Sequence, residues 1–267
     1  MTRLLILCLA VLTMACASSE PDTEDGGTKD DGTPIDDSRI AQYIRSTQFA
    51  KLVVEVDSVP GSEPRVTAET DVVALLNQLL DKPAGIEAVR DGVIASRGVD
   101  YAWTDSELFE LAEQTFDLSV SIETVKMHTM FVDGHSARDS DDGVILGLAW
   151  NNTHLVMFKQ TIESICAGPQ TPEAIREQLC RNAEFSIWVH ETGHLLGLVN
   201  AGLPMVEDHH DAEHSAHDIN EECVMYWAYE GGALIDSMRQ KLMGGDVEPL
   251  DFDDKCLADI AAVRDSP

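Results

Sequence analysis

The sequence predicts a mixed α/β domain preceded by an export segment. Strand-like apolar runs alternate with stretches of helical apolar spacing, the pattern of a sheet covered by helices. Pro60-Gly61, Asp133-Gly134 and Asn151-Asn152 punctuate those runs as turns. From Ala41 onward 227 residues remain, and the whole chain is 44% apolar. That suits one enzyme-sized domain, with room for two subdomains around a cleft.

The elements follow in order. Residues 51–56, Lys-Leu-Val-Val-Glu-Val, read as a strand ended by Pro60-Gly61. Residues 70–80 carry Val72, Val73, Leu75, Leu76, Leu79 and Leu80 on one helical face, and Pro83 and Gly85 stop the helix. A short strand is expected over 92–95. Residues 104–116 form a helix, with Thr104 and Glu107 at capping-box spacing. Residues 125–132 are a strand closed by Asp133-Gly134. The apolar runs 143–150 and 154–158 are two further strands, joined by the Asn151-Asn152 turn. Thr171-Pro172-Glu173 opens a helix with Pro at its first position, and the pattern runs to about Leu198 with a break near Asn182. The C-terminal third is otherwise irregular, apart from a helix over 232–242.

The N-terminus is a secretory signal. Arg3 precedes an apolar run from Leu4 to Met14, and the chain turns polar after Ala15-Cys16. The run is too short to span a bilayer comfortably. Leu12-Thr13-Met14-Ala15-Cys16 resembles a bacterial lipobox, with Thr13 where Leu is more usual. That implies cleavage before Cys16 and lipidation of its thiol and new amine. The alternative is an ordinary signal peptide with Cys16 incidental. Residues 17–40 are polar, acidic and Gly-rich, and cannot bury enough surface to fold, so they read as a tether. The domain is therefore taken as 41–267, in an envelope lipoprotein or a secreted protein.

A net charge of −30 excludes nucleic acid or an anionic membrane as a partner of the domain itself. Membrane contact is expected only through the lipid anchor. Such charge is compatible with calcium binding but selects no calcium site. Beyond Cys8 and Cys16, four cysteines remain: Cys166, Cys180, Cys223 and Cys256. Two disulfides are expected in an oxidising compartment. Of three pairings, Cys166–Cys180 with Cys223–Cys256 is the reading adopted; the first bond staples a loop to the helix beginning near Pro172.

The chemistry concentrates at His190-Glu191-Thr192-Gly193-His194. Two histidines four residues apart emerge on one face of a helix. That spacing suits one zinc ion, with Glu191 placed to hold the water a metal activates. A catalytic zinc needs a third protein ligand and an open position. Candidates lie in the histidine-rich stretch 207–217, where His210, His214 and His217 are chemically equivalent choices. Asp208 and Asp211 read as partners of a ligating histidine or as a solvated acidic loop.

The pattern His190-Glu191-x-x-His194-x-x-Gly197 resembles the metzincin clan of zinc proteases. The resemblance implies a mixed twisted sheet, an active-site helix and an irregular C-terminal subdomain. It implies a sharp turn at Gly197 and a third histidine at the position of Asn200, from which this chain departs. Within the clan the chain is most similar to archaemetzincins. Their third histidine is followed by Cys, four residues, Cys, one residue and Met. His217-Asp218-(four residues)-Cys223-Val224-Met225 reproduces that spacing with Asp for the first Cys. A 17-residue insertion between Asn200 and His217 accounts for the shift. The resemblance makes His217 the third ligand and Met225 the methionine supporting the ligands from below. It also implies a second, four-cysteine zinc. Here Asp218 and Asp253 stand at two of those positions, so a Cys223–Cys256 disulfide in place of that metal is expected, a two-Cys, two-Asp metal site being the alternative.

The function expected is hydrolysis of peptide or protein substrates by one zinc, with Glu191 as general base. Tyr226 or Tyr229 is a candidate for oxyanion stabilisation, and one of the strands over 143–150 and 154–158 is a candidate edge for extended peptides. The rival readings are an inactive binding module on the same fold and an exported zinc-binding protein.

Overall fold

The computed structural model describes residues 38–141 and 143–266. The signal, Cys16 and most of the tether lie outside the described residues. A five-stranded sheet forms the centre, in the order β2-β1-β4-β7-β6. Strands β1 (Lys51–Ser58), β2 (Ile86–Val93), β4 (Thr124–Val132) and β7 (His154–Phe158) run parallel to their neighbours, and β6 (Gly147–Trp150) closes one edge antiparallel to β7. Two short strands, β3 (Ala102–Trp103) and β5 (His135–Ser136), pair separately. β1 and β4 are buried on both faces, the polar Glu55, Asp57, His128 and Thr129 included.

Side chains still divide by the strand period of two. Leu52, Val54, Val56, Met127, Phe131, Leu155 and Met157 meet α2 (Val66–Leu79) and α5 (Glu173–Leu195) in the main core. Met130, Val132, Val156 and Phe158 face the other way, against Leu108 and Ala112 of α3 (Asp105–Thr115). Trp188 fixes α5 over the sheet: its ring lies edge-on to Phe131 at 5.0 Å, and its Nε1 donates to Thr129 Oγ1 at 3.2 Å.

Several expectations hold and several shift. The Thr104–Glu107 capping box is present. Asn151 and Asn152 take φ of 54° and 46°, the left-handed pair that matches the twist of a hairpin. β2, however, spans Ile86–Val93 rather than 92–95. Its exposed Glu87 and Asp91 mark an edge strand, whose polar residues hide the strand signal. The run 143–150 yields only β6. Pro172 caps α5 instead of entering it. α5 is also unbroken at Asn182, whose amide donates to Val247 O at 3.0 Å and so does not compete with the helix backbone.

α1 (Arg39–Ile44) begins inside the expected tether and buries Ile40. α4 (Lys159–Cys166) and α7 (Asp254–Arg264) were not foreseen, whereas α6 (Ala233–Met243) was. α7 is started by Asp253, whose carboxylate accepts from the backbone N–H of Lys255 and Cys256. The Cys166–Cys180 disulfide joins the end of α4 to α5 across 14 residues.

Candidate metal centre

α5 carries His190 and His194 one turn apart near its C-terminal end, with their Nε2 atoms 3.1 Å from each other. His217 arrives from the loop that follows. Its ring centroid lies 5.4 Å from that of His190 and 5.0 Å from that of His194. Backbone carbonyls set two of the three rings. His190 Nδ1 donates to Val224 O at 2.7 Å, and His217 Nδ1 donates to Ser215 O at 2.8 Å. Protonation at Nδ1 leaves Nε2 of each ring as a lone-pair donor aimed at the common point.

The chemistry of these donors fits a cation. His217 Nε2 is buried without a hydrogen bond, yet Glu230 Oε1 stands 3.1 Å away. Ligand atoms of His190, His194, His217 and Glu230 all lie within 4.8 Å of one another. Acceptor atoms gathered this closely repel unless a proton, as between His194 and His190, or a metal ion lies between them. Burial pushes the His190 imidazole down to about 4, against the Val224 carbonyl that favours its charged form. Burial, then the neighbouring charges of His190 and His217, holds His194 well below the ordinary value. Both rings are therefore neutral near pH 7, the form that ligates metals.

Glu191 is buried beside this cluster. Burial, and then the charge of Glu230, raises its carboxyl well above the usual range. Its carboxylate presses on β6: a Cβ built on Gly147 would lie 2.5 Å from Glu191 Oε1. Met225 is fully buried beneath the helix, and a Cβ on Gly193 would come within 2.3 Å of its Sδ. The glycine between the two histidines thus lets Met225 approach. Gly197 turns the chain out of α5 at φ +70°, where a Cβ would strike Ile40 Cδ1 at 2.4 Å.

The other candidates go elsewhere. Asn200 is exposed. His210 pairs with Asp208 at 3.1 Å, and His214 pairs with Asp211 at 2.7 Å and stacks on Trp227. Tyr229 donates its hydroxyl to Glu221 O at 2.6 Å. Of the two candidate strands, β6 and not β7 lies at an edge of the sheet.

The expected Cys223–Cys256 disulfide is absent. These are free thiols whose sulfurs lie 3.8 Å apart, at contact distance rather than the ~2.05 Å of a bond. They adjoin a group missed from sequence. His209 is buried, with Nδ1 2.5 Å from Asp218 Oδ2 and Nε2 2.9 Å from Asp259 Oδ2. Burial works against its charged form, but the two carboxylates raise the imidazole's pKa overall. Donor atoms of His209, Asp218, Asp253 and Cys256 also lie within 4.8 Å of one another. The cluster therefore keeps the alternative of a metal, with a His209 donor that the two-Cys, two-Asp reading lacked. Gly147, Gly193 and Glu230 were missed as well. Gly193 occupies an unspecified position of the motif, while Gly147 and Glu230 belong to no motif.

The solved structures similar to this chain include two zinc-peptidase folds. A zinc-dependent peptidase from Methanocorpusculum labreanum aligns over 78% of this chain and 99% of its own, at 16% identity and a TM-score of 0.44. Archaemetzincin from Methanopyrus kandleri aligns over 80% of this chain and 96% of its own, at 12% identity and a TM-score of 0.47. No protein-family model matches the sequence, and no curated protein does.

Proposed function

We propose that this chain is a zinc-dependent endopeptidase. The observation that carries the reading is the convergence of His190, His194 and His217 on one point, with Glu191 beside it and the open strand β6 alongside. Zinc, when bound there, supplies Lewis acidity toward the scissile carbonyl and lowers the pKa of water. His190, His194 and His217 would hold it, oriented by Val224 O and Ser215 O. Glu191 accepts the proton of the attacking water and delivers it to the leaving amine. A cation at the three imidazoles favours the carboxylate form of Glu191, which opposes the effect of its burial. β6 offers unpaired backbone groups to an extended peptide, which would add as another strand.

One catalytic zinc per chain is the stoichiometry proposed. His209 already has both ring nitrogens on carboxylates, which supports a metal-free second cluster. Calcium remains without any support. The inactive-module reading drew its force from Asn200, and His217 supplies the missing donor. No helix among the described residues is long and apolar enough to cross a membrane. Export, with Cys16 as a lipid anchor or the protein released, is proposed on the signal sequence, and the Cys166–Cys180 disulfide suits that compartment.

The test is Glu191→Gln in the mature chain, read by zinc content and by hydrolysis of a fluorogenic peptide pool. Zinc near one per chain with hydrolysis reduced more than ~100-fold is expected. A variant that cleaves as fast as wild type sinks the mechanism. A wild-type protein that holds zinc and cleaves nothing favours the binding module.

A further inference from the structure

Glu230 has no role in the chemistry above, yet its carboxylate lies within 4.8 Å of a ligand atom of each of the three imidazoles. It ends a short 3-10 turn, Trp227–Glu230, five residues beyond Met225. Its main chain is anchored, because its carbonyl accepts from Leu146 N at 3.1 Å just before β6. Its side chain is not enclosed, being 50% exposed. The carboxylate can therefore reach inward or turn to solvent while the backbone stays fixed. Inward, Oε1 stands 3.1 Å from His217 Nε2. In the neutral tautomer that Ser215 O selects, that nitrogen carries no hydrogen, so an acceptor faces an acceptor until a cation, a proton or a metal ion, lies between them. Two such atoms rest together when they share a cation. Three histidines and one carboxylate make four ligands, the number of a closed zinc site, whereas a catalytic site keeps one position open.

We propose that Glu230 is a carboxylate gate: at rest its side chain completes the metal's ligand set beside His217, and it turns to solvent to open the site to substrate. This rests on the zinc-site reading above and adds a built-in resting state to it. The gate sits at the start of the proposed peptide-binding edge, through its bond to Leu146. A ligand competing with Glu230 meets an apparent affinity reduced by the fraction of molecules in which the gate is open. Removing the carboxylate should therefore weaken metal binding while strengthening binding of an outside ligand to the metal. A merely structural contact would move both in the same direction or neither.

The experiment compares the mature wild-type chain with Glu230→Ala in two titrations. One measures zinc affinity against a chromophoric chelator. The other measures binding of acetohydroxamate to the cobalt-substituted protein by its visible spectrum. The expected result is zinc affinity lowered about 10- to 100-fold and acetohydroxamate affinity raised about tenfold or more. Unchanged zinc affinity, or acetohydroxamate that binds no more tightly in the variant, overturns the gate and leaves the peptidase reading standing. A wild-type chain that takes up no zinc overturns both.

Discussion

Gly147→Ala tests whether β6 positions the general base. A Cβ at this position would lie 2.5 Å from Glu191 Oε1, 2.7 Å from Cγ and 2.8 Å from Cδ. Ordinary contact begins near 3.4 Å, so the methyl group forces strand and carboxylate apart by about 0.6–0.9 Å. The atoms met are the far end of the Glu191 side chain, so the carboxylate moves while the backbones hold: α5 is locked to the sheet through Trp188 and β6 is paired along its length to β7. A displacement close to 1 Å in a catalytic group costs up to ~100-fold in rate. Overpacking of this kind destabilises by about 1–3 kcal/mol. The expected outcome is kcat on a fluorogenic peptide reduced about 10- to 100-fold, with zinc still near one per chain. The assay pairs steady-state kinetics with metal analysis and a urea melt on the same preparations. A variant with kcat within twofold of wild type would show that Glu191 is not held by this contact. Loss of zinc would show that Gly147 acts through the ligands instead.

His217→Ala should lower zinc affinity by more than ~100-fold, while His210→Ala and His214→Ala leave it within about threefold; chelator competition on the three variants decides between them. Replacing Cys166 and Cys180 together by Ala releases a cross-link across 14 residues and should cost about 3 kcal/mol in a denaturant titration; an unchanged midpoint would mean that the two helices hold each other without the bond. His154 is 6% exposed, and burial, followed by the charge of His128, pushes its imidazole down to about 4. The unfolded chain, with an ordinary imidazole near ~6.5, then binds more protons between those values. The His154 contribution therefore makes stability fall as pH drops from about 6.5 to about 4. Melting curves of wild type and His154→Asn should diverge in their pH dependence across that window, and parallel curves would refute it.

Local pattern in the sequence was sufficient wherever one segment carries the whole signal. Apolar runs bounded by turn residues marked β1, β4 and β7, and helical spacing or a capping box marked α2, α3 and α6, because each carries its own buried side chains. The helical spacing of His190 and His194 alone places both rings on one side of α5. Elements without such a face stayed hidden: β2 is a polar edge strand, and α7 buries little beyond Cys256, Asp259 and Ile260. Choosing among His210, His214 and His217 is a question of distance, and chemically equal residues in one loop differ only in where the folded backbone sends them. Which of the two strands over 143–150 and 154–158 forms an edge was likewise undecided until strand order placed β6 outside β7. Gly147 and Glu230 come from opposite ends of the site in sequence, 83 residues apart, and only packing against α5 brings both to Glu191 and the imidazoles. Cys223 and Cys256 mark the limit of spacing arguments. Their sulfurs were expected to meet and do, but whether neighbouring thiols bond depends on the last ångströms of approach, which are set by the tertiary contacts of Asp218, His209 and Met225 around them.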